Sequence, residues 1–183
     1  MAIRALGSMT EEAAPLGLRQ ATLALTPYDP AWAGLYDAEA ARIRDALAGV
    51  AFEIDHIGST AIPGLPAKPI LDIAMRADEA HEAHIADVLV RLGYVDRGIR
   101  SGRLFVRLRD GDVRTHNLHL YRPDDPDCLD QIAFRDALRA DADLRNRYAA
   151  LKQTLVDRLG DAGRGHYADG KTSFVRAVIE PLR

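Results

Sequence analysis

Polar and apolar residues alternate along two short segments, residues 52–57 and 68–76. The stretch between them is built of turn formers, Gly58-Ser59-Thr60, Pro63-Gly64 and Pro66. Alternation of period two predicts strands, so this region reads as strand–loop–strand. Upstream, Leu23 and Leu25 alternate over residues 20–26 and predict another short strand, which Pro27-Tyr28-Asp29-Pro30 ends. Leu35, Ala38, Ile43 and Leu47 then recur at helical spacing and predict a helix over residues 31–47, closed by Gly49. A second helix runs from an Asp78 cap to about residue 92, with Ile85, Val88, Leu89 and Leu92 on one stripe.

Residues 94–95, 103–109 and 113–121 read as strands, the last two joined by an Asp110-Gly111 hairpin turn. From Pro126 onward the period becomes helical, over residues 129–140, 144–159 and 170–180, with a glycine-rich loop at 160–165. The pattern predicts an α/β (α+β) fold: a mixed β-sheet flanked by helices in residues 20–125, and a helical segment, 126–183, packed on it in a single domain. Residues 1–19, which contain a second methionine at Met9, read as a flexible leader or alternative start outside the fold.

At 183 residues the chain is long enough to bury one real core. Its net charge of −3 argues against general nucleic-acid binding, which favours a basic surface. Cys128 is the only cysteine, which excludes an intramolecular disulfide and a cysteine zinc cluster and points to a reducing cytoplasm. No apolar run approaches the roughly 18 residues of a membrane span, so no membrane partner is expected.

Candidate chemistry gathers around the first strand pair. A glycine after a strand lets the backbone approach a phosphate, and free N–H groups at the following turn attract its charge. By strand parity Lys68, Ile70, Asp72, Ala74 and Arg76 share one face, while Leu71, Ile73 and Met75 fill the other. Asp72 therefore lies among charged groups, where a strand-held carboxylate can anchor a hard cation such as Mg²⁺. An ordinary strand-end carboxylate is the competing reading. Glu53 and Asp55 share a face opposite Phe52, Ile54 and His56, and His56 reads as a core histidine.

Arg103, Arg107 and Arg109 share a face with Phe105, and arginine forks suit phosphate oxygens. The alternative is a sheet face kept soluble by charge. His116 and His119 are three apart in a strand and face opposite ways. His119 shares its face with Thr115 and Asn117 and is the candidate ligand, base or phosphate partner, or else a hydrogen-bonded structural histidine. Asp169 reads as a helix cap with Lys171 in the first turn. A lysine there opposes the helix dipole and suits an anionic ligand. Gly170-Lys171-Thr172 lacks the upstream glycine of a P-loop, so that motif is excluded.

Taken together these motifs resemble the GrpB family, a branch of the nucleotidyltransferase superfamily that also occurs fused to dephospho-CoA kinase in some bacteria. The resemblance runs from about residue 25 to 182. It rests on Tyr28-Asp29-Pro30-Ala31-Trp32, on His56-Ile57-Gly58-Ser59-Thr60-Ala61-Ile62-Pro63-Gly64-Leu65, and on Lys68-Pro69-Ile70-Leu71-Asp72-Ile73. His119, Phe134-Arg135-Asp136, Tyr148-x-x-Leu151-Lys152 and Tyr167-x-Asp169-x-Lys171-x-x-Phe174 extend it.

The resemblance implies a nucleotidyltransferase-like sheet whose C-terminal helices close a cleft, with Gly58 and Ser59 cradling phosphates; Thr60, Lys68, Arg103, Arg107 and Lys171 are the further phosphate-binding candidates by residue type and position. It also implies carboxylates at positions 72 and 74 holding Mg²⁺ or Mn²⁺. Position 74 is Ala, and the third acidic position falls near His119. A single metal on Asp72, helped by Asp55 or His119, is what this pattern leaves, with Asp72 and His119 as the catalytic candidates. Three activities fit: nucleotidyl transfer to a small or protein acceptor, non-catalytic binding of a nucleotide or CoA-related ligand, and metal-dependent hydrolysis of a phosphorylated small molecule. All three predict a cleft between the 58–68 loop and the C-terminal helices, lined by Asp72, Arg103 or Arg107, His119 and Lys171.

Overall fold

The protein is described by a computed structural model over residues 16–182. The strands in chain order are β1 (Leu18–Arg19), β2 (Phe52–Ile57), β3 (Leu71–Ala77), β4 (Tyr94–Arg100), β5 (Gly102–Arg109) and β6 (Val113–Tyr121). The helices are α1 (Ala31–Ala46), α2 (Glu82–Arg91), α3 (Pro126–Ala140), α4 (Ala142–Leu159) and α5 (Thr172–Ile179). The strands form a mixed sheet of order β2-β3-β6-β5-β4, in which β3 and β6 are parallel and the other neighbours antiparallel. Asp110 and Gly111 both take positive φ, 52° and 81°, as the tight β5–β6 turn requires.

Two expectations are corrected at the start of the described chain. Residues 16–19 belong to the fold: Leu16 and Leu18 are buried, and β1 pairs with the beginning of β6. The rest of the predicted leader, residues 1–15, lies outside the described residues. The strand predicted over residues 20–26 does not form. Ala21 has φ of 70°, which breaks extension, and Leu23 turns inward against Leu155 and Tyr167. Only Thr26 keeps a ladder contact there, a bridge to Ala67.

Side chains of alternate parity fill two different layers. Ile73, Met75, Ala77, Phe105, Leu118 and Leu120 face α1 and α2 and pack with Ile43, Leu47, Ile85, Val88 and Leu89. On the opposite face Ala74, Ile57 and Tyr121 pack against Cys128 and Ile132 of α3. Farther along, α3, α4 and α5 bury Leu138, Tyr148 and Phe174 against Ile62 and Leu65 of the β2–β3 connection. Aspartates start the C-terminal helices: Asp125 accepts from the Asp127 and Cys128 N–H groups, and Asp141 from Leu144. The C-terminal helices therefore stand over the loop that follows β2, and the space between them holds the candidate site.

Candidate functional site

A cavity of about 970 Å³ opens between the Asp72 face of the sheet, the turn after β2 and helices α3 to α5. Gly58, Ser59, Asp72, His119 and Lys171 line it, so five of the residues singled out from the sequence converge. Gly58 has φ of 69°, and a Cβ there would lie 2.5 Å from Asp72 Oδ2. Only glycine fits, because the Asp72 carboxylate rests against the backbone at this turn. The other Asp72 oxygen, Oδ1, accepts a 2.7 Å bond from Asn117 Nδ2 across the parallel β3–β6 pair. His119 is two residues on along β6, and its Nδ1 lies 2.8 Å from the Ser101 carbonyl oxygen. A carbonyl can only accept, so Nδ1 carries the hydrogen and Nε2 is the free acceptor of the neutral ring.

The turn itself is clamped from α3. Arg139 donates to the Ala61 carbonyl through Nε and Nη2, at 2.9 and 2.8 Å, and Arg135 donates to the His56 carbonyl at 2.9 Å. Arg135 also pairs with Asp55 at 3.3 Å, while Asp55 meets Arg76 at 3.1 Å. Asp55 is thus neutralised by two arginines and does not line the cavity. Thr60 also departs from expectation. It is buried, with its hydroxyl 3.0 Å from His56 Nε2, and supports the turn from behind.

Arg103 and Arg107 are corrected as well. They do share the Phe105 face, but that face looks toward α1 and α2, away from the cavity. Arg103 pairs with Asp96 and Glu82, and Arg107 pairs with Glu39. Lys68 lies 4.1 Å above the Tyr167 ring, outside the cavity lining, and Lys171 lies 4.5 Å above the same ring.

Sequence reasoning missed Lys152 as a site residue. It is 1% exposed on α4, and its Nζ donates to Ser59 Oγ at 3.1 Å and to the Pro66 carbonyl. The available signal was its register: Lys152 falls between Tyr148 and Leu155, both buried, on the inward stripe of α4. Burial and the charge of Lys171 push its amine down to about 7. Burial, then the charge of Lys171, likewise lowers Lys68 to about 8, and burial lowers Lys171, with Asp72 pulling the other way in both. Arg114 is lowered by burial too, and Asp72 opposes that shift also. Three lysines and an arginine are therefore held partly out of water near this loop, and the Asp72 charge reaches Lys68, Lys171 and Arg114.

The carboxylate pair that the resemblance places at positions 72 and 74 is not present. Ala74 is 1% exposed and packed against Cys128, so the second carboxylate position belongs to the core. Among the described residues no group of three or more His, Cys, Asp or Glu comes together to hold an ion. Asp72, Asp55 and His119 do not form a three-ligand site.

The sheet order and the capping helices define a nucleotidyltransferase-like fold, and solved structures agree. The chain superposes on Cid1 poly(U) polymerase with a TM-score of 0.53 at 11% identity, covering 72% of this chain and 43% of that one. It superposes on the conserved protein GrpB of Enterococcus faecalis with a TM-score of 0.71 at 27% identity, covering 86% and 96%. The model of the GrpB protein family matches residues 22–181, and the chain belongs to that family. A UPF0157 protein of Halalkalibacterium halodurans is 38% identical over 162 residues, 87% of this chain and 82% of that protein. A dephospho-CoA kinase of Mycobacterium leprae is 30% identical over 194 residues, a match covering 87% of this chain and 47% of the kinase. Among the described residues no helix is long and apolar enough to cross a membrane.

Proposed function

We propose that the cavity binds a nucleotide or a related phosphorylated small molecule, with its phosphates against Gly58, Ser59 and Lys171. The observation that carries this reading is the charge balance. Lys68, Lys152 and Lys171 take rings and neutral oxygens as partners, and Asp72 is the carboxylate whose charge offsets those of Lys68 and Lys171. Cations held out of water without equal countercharge are stabilised by an anion that brings several charges at once. The rest of the wall, including Ile62, Phe134 and Val175, suits an apolar or aromatic portion of the ligand. The matching segment in a dephospho-CoA kinase places CoA-related molecules among the ligands to test.

Nucleotidyl transfer with Mg²⁺ or Mn²⁺ is the second reading, favoured by Asp72 and His119 facing one cavity on adjacent strands. Binding and transfer separate in one experiment. Thermal unfolding is followed with ATP, GTP, CTP, UTP, dephospho-CoA and CoA, with and without Mg²⁺, alongside pyrophosphate release. A ligand that binds only the folded chain raises its apparent stability. Phosphorylated ligands should raise the midpoint in the absence of metal, and Lys171→Met should remove most of that rise. A flat response across the panel rejects binding. A rise that appears only with metal, together with pyrophosphate release, favours transfer.

A further inference from the structure

Ser59 opens a single 3-10 turn, Ser59–Ala61, directly after Gly58, and it faces the cavity. Two groups hold its hydroxyl in a way that phosphate contact does not require. Lys152 Nζ lies 3.1 Å from Ser59 Oγ and is itself steadied by the Pro66 carbonyl. The Tyr148 hydroxyl bonds to the same serine, and Lys152 Nζ lies 5.1 Å above the Tyr148 ring. A serine bonded to a buried lysine that has no carboxylate partner among the described residues is a nucleophile–base pair in the general sense.

We propose that Ser59 is a nucleophile activated by Lys152, and that the cavity accepts a carboxylic ester or thioester whose acyl group passes to Ser59 Oγ. This goes beyond ligand binding and does not depend on it. In the step, Ser59 Oγ attacks the carbonyl carbon while its proton moves to the neutral Lys152 amine. The tetrahedral adduct then collapses, the carbon–oxygen or carbon–sulfur bond to the leaving group breaks, and the departing alcohol or thiol takes that proton. Water, deprotonated by Lys152 in turn, releases the acid and restores the serine. Ile62, Phe134 and Tyr148 give the acyl group an apolar wall.

An amine held at about 7 is neutral often enough at neutral pH to act as the base. The charged and titratable groups facing it are Lys171, whose charge lowers it, and Tyr148, which burial holds far above its usual value and which Asp72 raises further. The competing role for Lys152 is a staple that ties α4 to the β2–β3 connection.

An alkyl fluorophosphonate separates the two roles. Ser59 Oγ would attack phosphorus, fluoride would leave, and the proton would go to Lys152. Intact mass and peptide mapping should show one adduct, on Ser59, with a labelling rate that rises with pH through about 7. Ser59→Ala should abolish the adduct. Lys152→Met, which keeps the volume, should slow it about 100-fold. Release of p-nitrophenol from p-nitrophenyl acetate should follow the same pH profile. No adduct on Ser59, or equal labelling of the folded Lys152→Met protein, overturns the proposal. If that variant does not fold, a labelling rate of the unmutated protein that is independent of pH between about 5 and 9 overturns it equally. Thermal shifts by phosphorylated ligands are measured without any electrophile, so the two readings fail separately.

Discussion

On the sheet face covered by α1 and α2, Glu39 is buried, and its carboxylate takes bonds from Arg42 at 2.6 and 2.9 Å, Tyr94 at 2.8 Å and Arg107 at 3.0 Å. On the opposite face, beneath α3 to α5, Lys152 is still more deeply buried, yet its partners are a hydroxyl and a carbonyl. Both faces carry ionisable groups in poorly solvated places. The first surrounds its buried charge with opposite charge, and hydrogen bonds to the carboxylate hold Glu39 below its ordinary range despite burial. The second leaves a buried cation uncompensated beside a cavity. A fold can keep the second arrangement only at some cost in stability, and this is the face on which the ligand proposed above would supply the missing countercharge.

Breaking the compensated face should give the largest effect. Glu39→Ala leaves Arg42, Arg107 and the Tyr94 hydroxyl without their common acceptor. Removing one partner of a buried ionic network costs about 3 kcal/mol, somewhat softened here because both arginines reach solvent. Urea unfolding at neutral pH should show that loss. A change within 0.5 kcal/mol would mean that solvent replaces Glu39 with ease and that the contrast between the faces is weaker than drawn.

Acid should act next, again through the α1 side. His56 stacks on Tyr36 at 4.6 Å between ring centroids, and His116 lies edge-on to Tyr94. Burial pushes both imidazoles down to about 4, against 6.5 for a free histidine. Between about pH 6.5 and 4 the unfolded chain binds protons that the folded chain refuses. Stability therefore falls as pH falls through that window, and the contribution of these two histidines is fully lost below it. His116→Asn should flatten the decline measured by denaturant midpoints from pH 7 to 4. An unchanged slope in the variant would assign the acid sensitivity to other groups.

Much of this was legible before folding. The periods located β2 and β6 residue for residue, parity set Asp72 and His119 each on the polar face of its strand, and the parallel register of β3 and β6 joins those faces. Parity also grouped Arg103, Phe105 and Arg107 correctly. It cannot say which face a group occupies, because that depends on where the helices land, and the arginines turned out to look the other way. The strand expected over residues 20–26 failed because one backbone turn at Ala21 outweighs alternation over so short a run. Lys152, legible only as part of a motif, was missed as a site residue for a related reason. A lysine inside a helix looks like solvent-facing polarity until the buried neighbours Tyr148 and Leu155 show which stripe it occupies.

That lysine gives the smallest but most discriminating effect. The Lys152 amine titrates at about 7 in the fold and at 10.5 in a free chain. Below about 7 the folded protein must bury a charged ammonium, and the full penalty is present. Between about 7 and 10.5 the unfolded chain keeps a proton that the folded chain has released, so this group makes stability rise with pH. Lys152→Met removes the titration while filling nearly the same space. It also leaves the Pro66 carbonyl without its donor, a loss of about 1 kcal/mol at any pH. The variant should therefore be more stable than the parent at pH 6, and the advantage should shrink or reverse at pH 9. Lys68 also titrates, at about 8, but it is present in both proteins and largely cancels from the difference. Urea unfolding of the pair at both values reads the sign directly. A difference that stays constant from pH 6 to 9 would mean that Lys152 carries the same charge throughout, and with it the contrast between a compensated and an uncompensated face would fall.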